Sequence, residues 1–201
     1  MKNYTQNWNQ QFIKNTNQFI DRKFELCLEI GSFEGLTSNY IVDNLLSDTG
    51  KLICIDPLTD VYLNDNLTKE DIEKNKKDFS YFEDQYSRFS NNVKEHLDTD
   101  RIELMRNLST DAFPHLIDSH SNKFDFIYID GDHRPEGVYI DSINSFELCK
   151  PNGFILLDDY SWENTGIGID RFLNEYYGRY ELLIKEYQVL IKKLDLDFEK
   201  L

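Results

Sequence analysis

Five short apolar runs recur along this chain: FELCLEIG (24–31), KLICID (51–56), RIELMR (101–106), FDFIYID (124–130) and PNGFILLDD (151–159). Between them lie stretches long enough for helices. A brief apolar run bounded by turn residues reads as a strand buried on both faces. Strands that alternate with helices build a mainly parallel sheet covered on both sides. Such a sheet binds its ligand beyond the carboxyl ends of the strands, where the strand order reverses. The chemistry of this chain is therefore expected in the residues that follow each run.

The intervening segments fill in the pattern. Residues 1–23 read as a polar helix or arm, with Trp8, Phe12, Phe19 and Ile20 spaced along one helical face. The stretch LTSNYIVDNLL after Gly35 keeps Ile41, Leu45 and Leu46 in helical phase, and SDTG closes it as a turn. Residues 58–100 are charged and aromatic, with Phe79, Phe82, Tyr86 and Phe89 three or four apart. A loop to about residue 67 and then a helix ending near Leu97 are expected there, the aromatics serving core packing rather than ligand binding. TDAFPHLI reads as a short amphipathic turn or helix. Further helices are expected over 136–149 and 166–178, and YELLIKE with YQVLIKK as a closing hairpin.

Composition limits the partners. The 201 residues suit one domain with a substantial core. The formal charge is -15, from 22 basic and 37 acidic residues, which argues against a general nucleic-acid or anionic-membrane binder. Cys27, Cys54 and Cys149 are odd in number, widely spaced and embedded in apolar runs, so they read as buried thiols rather than a disulfide or zinc framework. With no membrane-length apolar stretch and no signal-peptide core at the amino terminus, a cytoplasmic location is expected.

The residues after the strands carry the functional signal. Gly31 and Gly35, four apart between strand and helix, permit a tight turn and the close approach of a ligand to backbone. The turn is neither GxGxxG nor a P-loop, since Phe33 stands where a phosphate cradle wants glycine. Asp56 ends the second strand, where a carboxylate can accept both hydroxyls of a ribose. Asn107, Leu108, Ser109, Thr110 and Asp111 follow the third strand, where they can cap the next helix or reach an adenine edge. Asp130, Asp132, Asp158 and Asp159 follow strands four and five. Carboxylates so close repel one another unless a cation or shifted pKa values relieve them, and hard oxygen donors suit magnesium, calcium or manganese. Helix capping is the competing role. His133 accompanies this cluster as candidate base, whereas His96, His115 and His120 read as solvent-exposed.

Taken in order, LEIGSFEG, CID, RNLSTDAFPHL, FDFIYIDGDH and PNGFILLDDY resemble the successive motifs of class I S-adenosylmethionine-dependent methyltransferases. IDGDH followed by EGV is most similar to the small bacterial and viral branch related to macrocin and cephalosporin-type sugar and antibiotic enzymes. The resemblance spans about residues 24–193. It implies a Rossmann-like, doubly wound α/β sheet of seven strands in the order 3-2-1-4-5-7-6, strand seven antiparallel. The chain would be one domain, with an arm over 1–23 and an insertion over 58–100 acting as a cap or a contact between copies. Glu29, Gly31, Phe33 and Gly35 would line the methionine end of the cofactor, and Thr37 would hold its carboxylate. Asp56 would take the ribose, and Leu108, Ser109 and Thr110 the adenine. Asp130 would lie near the methyl donor and, with Asp159, match two metal ligands of catechol-type relatives. Tyr160 replaces their third ligand, an asparagine, so Asp158 is the candidate to complete the set.

The implied activity is O-methylation of a small polyhydroxylated substrate such as a sugar, assisted by Mg2+ or another hard cation. Asp130 and His133 are the expected catalytic residues, and His133 the first candidate to take the proton. A nicotinamide-dependent oxidoreductase on the same sheet is disfavoured by the missing GxGxxG. A non-catalytic binding module of the same fold is disfavoured by the retained acidic cluster, since unneeded clustered carboxylates cost stability.

Overall fold

The computed structural model describes residues 2–58 and 84–196. The amino-terminal segment enters helix α1 (Gln10–Thr16) and a short 3-10 turn (Asn17–Phe19), then strand β1 (Phe24–Ile30). Helix α2 (Leu36–Tyr40) runs on through one π-helical turn (Ile41–Leu45) directly into β2 (Leu46–Ile55). Then come α3 (Gln85–Asn92), α4 (Lys94–Asp98), β3 (Ile102–Met105), α5 (Ser109–His120), β4 (Phe124–Ile129) and α6 (Pro135–Leu148). The chain closes with β5 (Cys149–Leu157), α7 (Glu163–Glu175), β6 (Tyr180–Lys185) and β7 (Val189–Lys193). The strands form one sheet in the order 3-2-1-4-5-7-6. β1 to β5 are parallel and β7 runs antiparallel to β5 and β6, as expected.

Alternation along the central strands divides the core in two. Leu28, Ile30, Ile127, Ile129, Ile155 and Leu157 face α5, α6 and α7, meeting Phe113, Val138, Phe146 and Phe172. Cys27, Cys54, Phe126, Tyr128, Phe154 and Leu156 face the other side, meeting Phe12, Phe19, Ile41, Leu45 and Phe89. A strand apolar on both faces is what this double burial requires. All three cysteines are free and buried. Among the described residues no helix is long and apolar enough to cross a membrane.

Several local expectations are corrected. SDTG is not a separate turn: it belongs to β2, whose pairing with β1 jumps from Leu46 opposite Phe24 to Lys51 opposite Leu26. That irregularity leaves the N–H groups of Glu25 and Leu26 without ladder partners, and both donate to the buried Asp125 carboxylate, at 2.8 and 2.9 Å. Asp125→Ala is therefore expected to cost about 2 kcal/mol, the typical penalty for buried donors left unsatisfied, read as a lower urea midpoint with an unchanged slope. The turn at Pro151–Gly153 likewise lies inside β5, Asn152 taking a φ of 64°. α7 begins three residues earlier than expected, and α5 is a full helix through Pro114.

Of the 58–100 insertion, residues 59–83, with Phe79 and Phe82, lie outside the described residues. The described part is helical with a break at Val93. Phe89 enters the core, whereas Tyr86 stays exposed beneath the Arg106 guanidinium. His96, expected in solvent, is largely covered and lies 3.2 Å from Asp43.

Candidate functional site

β1 stops at Ile30 because the next five residues cannot continue it. Gly31, Phe33 and Gly35 have φ of 84°, 47° and 77°, so the backbone turns back on itself before α2. At Gly31 even a methyl group is excluded, since a Cβ would sit 1.9 Å from the Asp130 carbonyl oxygen. The glycine turn after β1 is thus pressed against the end of β4. Phe33 is a bulky residue in the left-handed region, a strain of about 1–3 kcal/mol that persists only where the surroundings over-determine it.

Asp56 supplies part of that constraint. Its Oδ2 accepts the N–H groups of Ser32 and Phe33 at 2.7 and 2.9 Å, and its Oδ1 accepts Leu58 N–H at 2.7 Å. Burial pushes its pKa up, and these three donors pull it back. The expected ribose acceptor is therefore already the clasp of the glycine turn, with little remaining capacity for hydroxyls. Glu29, expected to line the cofactor space, lies fully buried beneath the turn instead. Strand alternation points it at α2, where its Oε2 accepts the Ser38 hydroxyl and the Cys54 thiol while Oε1 has no hydrogen-bond partner among the described residues. Burial raises its pKa to about 7. Thr37, expected to hold the cofactor's carboxylate, is half-buried on α2 beside Ser38.

After β3, Leu108 is exposed, while Ser109 and Thr110 open α5 and line a cavity of about 550 Å3 shared with Asp132, Pro135, Gly137 and Asp141. Ser109 does not cap its helix. Its hydroxyl donates instead to the buried Asp141 at 2.6 Å. Burial raises Asp141 to about pKa 7. Nothing in its helical position marked Asp141 beforehand.

The ends of β4 and β5 lie side by side because Ile129 pairs with Leu157. Asp130 and Asp159 thereby share one mouth. Asp159, at φ 51° and 7% exposed, turns its carboxylate inward, where Oδ1 accepts the Tyr187 hydroxyl. His133 Nε2 lies 3.0 Å from Asp159 Oδ2 and 3.7 Å from Asp130 Oδ1, in ion-pair range of both but off the hydrogen-bonding line. Burial alone would lower the pKa of His133, but the two carboxylates outweigh it and push it up to about 10. Burial also raises Asp130, and His133 opposes that shift. Trp162 lays its ring 5.1 Å from the imidazole.

The group that comes together is therefore Asp130, His133 and Asp159, one ligand atom from each lying within 4.8 Å of the others. Asp158, expected as the third metal ligand, faces elsewhere. It accepts the Tyr128 hydroxyl and the Asp159 N–H, since consecutive residues leave a strand in different directions. Burial and then the charge of Asp130 raise it to about pKa 7. Tyr128 also donates to Asp130 at 3.1 Å, bridging the two carboxylates. Asp132 is drawn away by Arg134, whose guanidinium and N–H both reach it. Tyr128 and Tyr187 are functional neighbours that the sequence hid, one inside a strand and one inside a hairpin turn. A hard divalent cation fits the two carboxylates, Asp159 buried and Asp130 half-buried, as oxygen donors; the protonated imidazole beside them has no lone pair to offer it and competes as the counter-charge.

The architecture recurs in solved structures. An O-methyltransferase from Bacillus cereus in complex with SAH superposes with a TM-score of 0.67 at 14% identity, over 96% of this chain and 84% of that one. TomG from Streptomyces achromogenes, an O-methyltransferase of tomaymycin synthesis in complex with SAM, gives 0.63 at 16%, over 92% and 79%. At such identities the likeness is one of fold. An uncharacterized protein of Acanthamoeba polyphaga mimivirus is 28% identical over 135 residues, 66% of this chain. The chain spans about half the length of that curated relative. The sequence profile of the methyltransferase domain matches residues 28–160, from the second half of β1 through the β5 mouth, and the chain belongs to that family.

Proposed function

We propose that this protein is an S-adenosylmethionine-dependent O-methyltransferase acting on a small polyhydroxylated acceptor such as a sugar or glycoside, with a hard divalent cation at the β4–β5 mouth. The observation that carries the reading is the Asp130–His133–Asp159 group beside the Gly31–Gly35 turn, in a chain of the methyltransferase-domain family. Acceptor type follows the resemblance of IDGDH and EGV to the sugar and antibiotic branch.

In the reaction the acceptor oxygen attacks the sulfonium methyl. A C–O bond forms as the S–C bond breaks, leaving a methyl ether and S-adenosylhomocysteine, and the hydroxyl proton passes to the protein. The glycine turn positions the amino-acid end of the cofactor, and Ser109 and Thr110 the nucleobase end. Alignment of nucleophile and methyl group is the main protein contribution. A cation held by Asp130 and Asp159 would lower the pKa of the acceptor hydroxyl and offset the negative charge that keeps the imidazole protonated. With both carboxylates ionised, His133 holds its proton through neutral pH and acts as a counter-charge. Its role as base requires that charge to be met, which is the physical link between its pKa and the proposed cation.

Calorimetry with S-adenosylhomocysteine should show saturable binding, and methyl transfer to a panel of nucleotide-sugars and glycosides should fall at least about tenfold on adding EDTA and return with Mg2+. Absence of any binding to S-adenosylmethionine or S-adenosylhomocysteine would overturn the reading. Turnover indifferent to EDTA would remove the cation alone.

A further inference from the structure

The strained crest of the glycine turn is held from outside the sheet. Trp8 lies against Phe33, ring centroids 5.5 Å apart and planes 22° from parallel. Around this stack the first residues of the chain are tied to the turn one by one. Thr5 donates to the Glu34 carboxylate through both its N–H, at 2.6 Å, and its hydroxyl, at 2.8 Å. Glu34 is 1% exposed and also accepts Arg88 at 3.0 Å. Asn92 joins the Glu34 and Asn3 carbonyls, each at 2.9 Å, and Asn39 joins the Gly35 carbonyl to the Tyr4 hydroxyl, each at 2.8 Å. A surface arm with no function needs none of these bonds to a backbone turn of left-handed residues.

We propose that Trp8 is a further positioning residue of this site: stacked on Phe33, it fixes the crest of the Gly31–Gly35 turn in the conformation that receives the amino-acid end of the cofactor. This rests on the cofactor reading given above. Asp56 holds the crest by its N–H groups from inside, and Trp8 holds it by its side chain from outside. A bulky residue at φ 47° relaxes toward an ordinary backbone region once one of these supports is removed. The cost then falls on ligand affinity more than on folding, because Phe33 is only half-buried and Trp8 is 62% exposed.

The test compares Trp8→Ala and Trp8→Phe with the unchanged protein. Trp8→Ala should bind S-adenosylhomocysteine about three- to tenfold more weakly, the range of an aromatic pair. It should raise the S-adenosylmethionine KM rather than lower kcat, and leave the ligand-free melting temperature within about 2 °C. Trp8→Phe should restore the affinity, since it keeps the stack. The chain has two tryptophans, so Trp162→Phe leaves Trp8 as the sole indole reporter, and its emission should shift with saturating S-adenosylhomocysteine. Unchanged affinity in Trp8→Ala, or Trp8→Phe as weak as Trp8→Ala, overturns the proposal. Should Trp8→Ala not fold, emission of Trp8 unmoved by the ligand overturns it as well. Failure of the unchanged protein to bind the ligand is a different result, and removes the cofactor reading on which the proposal stands.

Discussion

Asp159→Ala is expected to lower the methyl-transfer rate by about 10²- to 10⁴-fold, the usual range for loss of a positioned acid–base group, with S-adenosylhomocysteine affinity changed by no more than about threefold. The expectation follows from where this carboxylate stands. It is almost fully buried, it receives the Tyr187 hydroxyl on one oxygen, and it faces His133 at 3.0 Å with the other. Removing it leaves a half-buried imidazole with Asp130, 3.7 Å away, as its remaining carboxylate. The proton of His133 loses half of its electrostatic support, and any cation loses a ligand. Among the described residues no bond of Asp159 reaches the glycine turn or Ser109, so the residues proposed to bind the cofactor are left in place. Asp159→Asn separates charge from shape: it keeps the bond from Tyr187, so a loss equal to that of alanine assigns the effect to the negative charge. Activity within a fewfold of normal in both variants would place the chemistry elsewhere.

The second large effect is on stability. Glu29 is fully buried, one oxygen has no hydrogen-bond partner among the described residues, and burial raises its pKa from 4.5 to about 7. A carboxyl raised in the folded state makes the native protein bind more protons than the unfolded chain between those values. Its contribution is therefore complete below about pH 4.5 and is lost as pH rises toward 7. The rise from 4.5 to about 7 corresponds to about 3.5 kcal/mol at most. Glu29→Gln imitates the neutral form, so it should be more stable than the unchanged protein by up to about 3 kcal/mol at pH 8. Near pH 4.5 the two should converge. Asp141, raised to about 7 by burial, acts with the same sign and remains in both proteins. Urea unfolding at the two pH values decides: a difference independent of pH would mean that Glu29 titrates alike in the folded and the unfolded chain.

Both effects arise at positions whose role the chain's pattern only half disclosed. That residues after strands one, two, four and five gather along one rim was legible, because a doubly covered parallel sheet leaves its strand ends open and polar. What each carboxylate does there was not. Glu29 and Asp56 were expected to meet the cofactor, yet strand alternation carries the first beneath the turn, and three orphan N–H groups claim the second. Asp158 and Asp159 are indistinguishable as letters. A left-handed backbone at Asp159 sends one toward His133 and leaves the other with Tyr128. Trp8 was expected on a helical face with Phe12 and Phe19. The helix begins only at Gln10, so Trp8 lies before it and reaches Phe33 instead.

The one-dimensional pattern of apolar runs, glycines and strand-end carboxylates was enough to determine the class of fold, the parallel core and the rim on which the site lies. These depend on local periodicity and on the need to bury both faces of each strand. Which carboxylates come together with His133 was decided by tertiary structure. His133 and Asp159 meet because the carboxyl halves of β4 and β5 pair in register, and Asp56 closes the turn because those of β1 and β2 do. Such contacts depend on the direction of a single side chain at the end of a strand. Hydrophobic spacing constrains the face a residue takes within a strand, and it stops constraining anything where the strand stops.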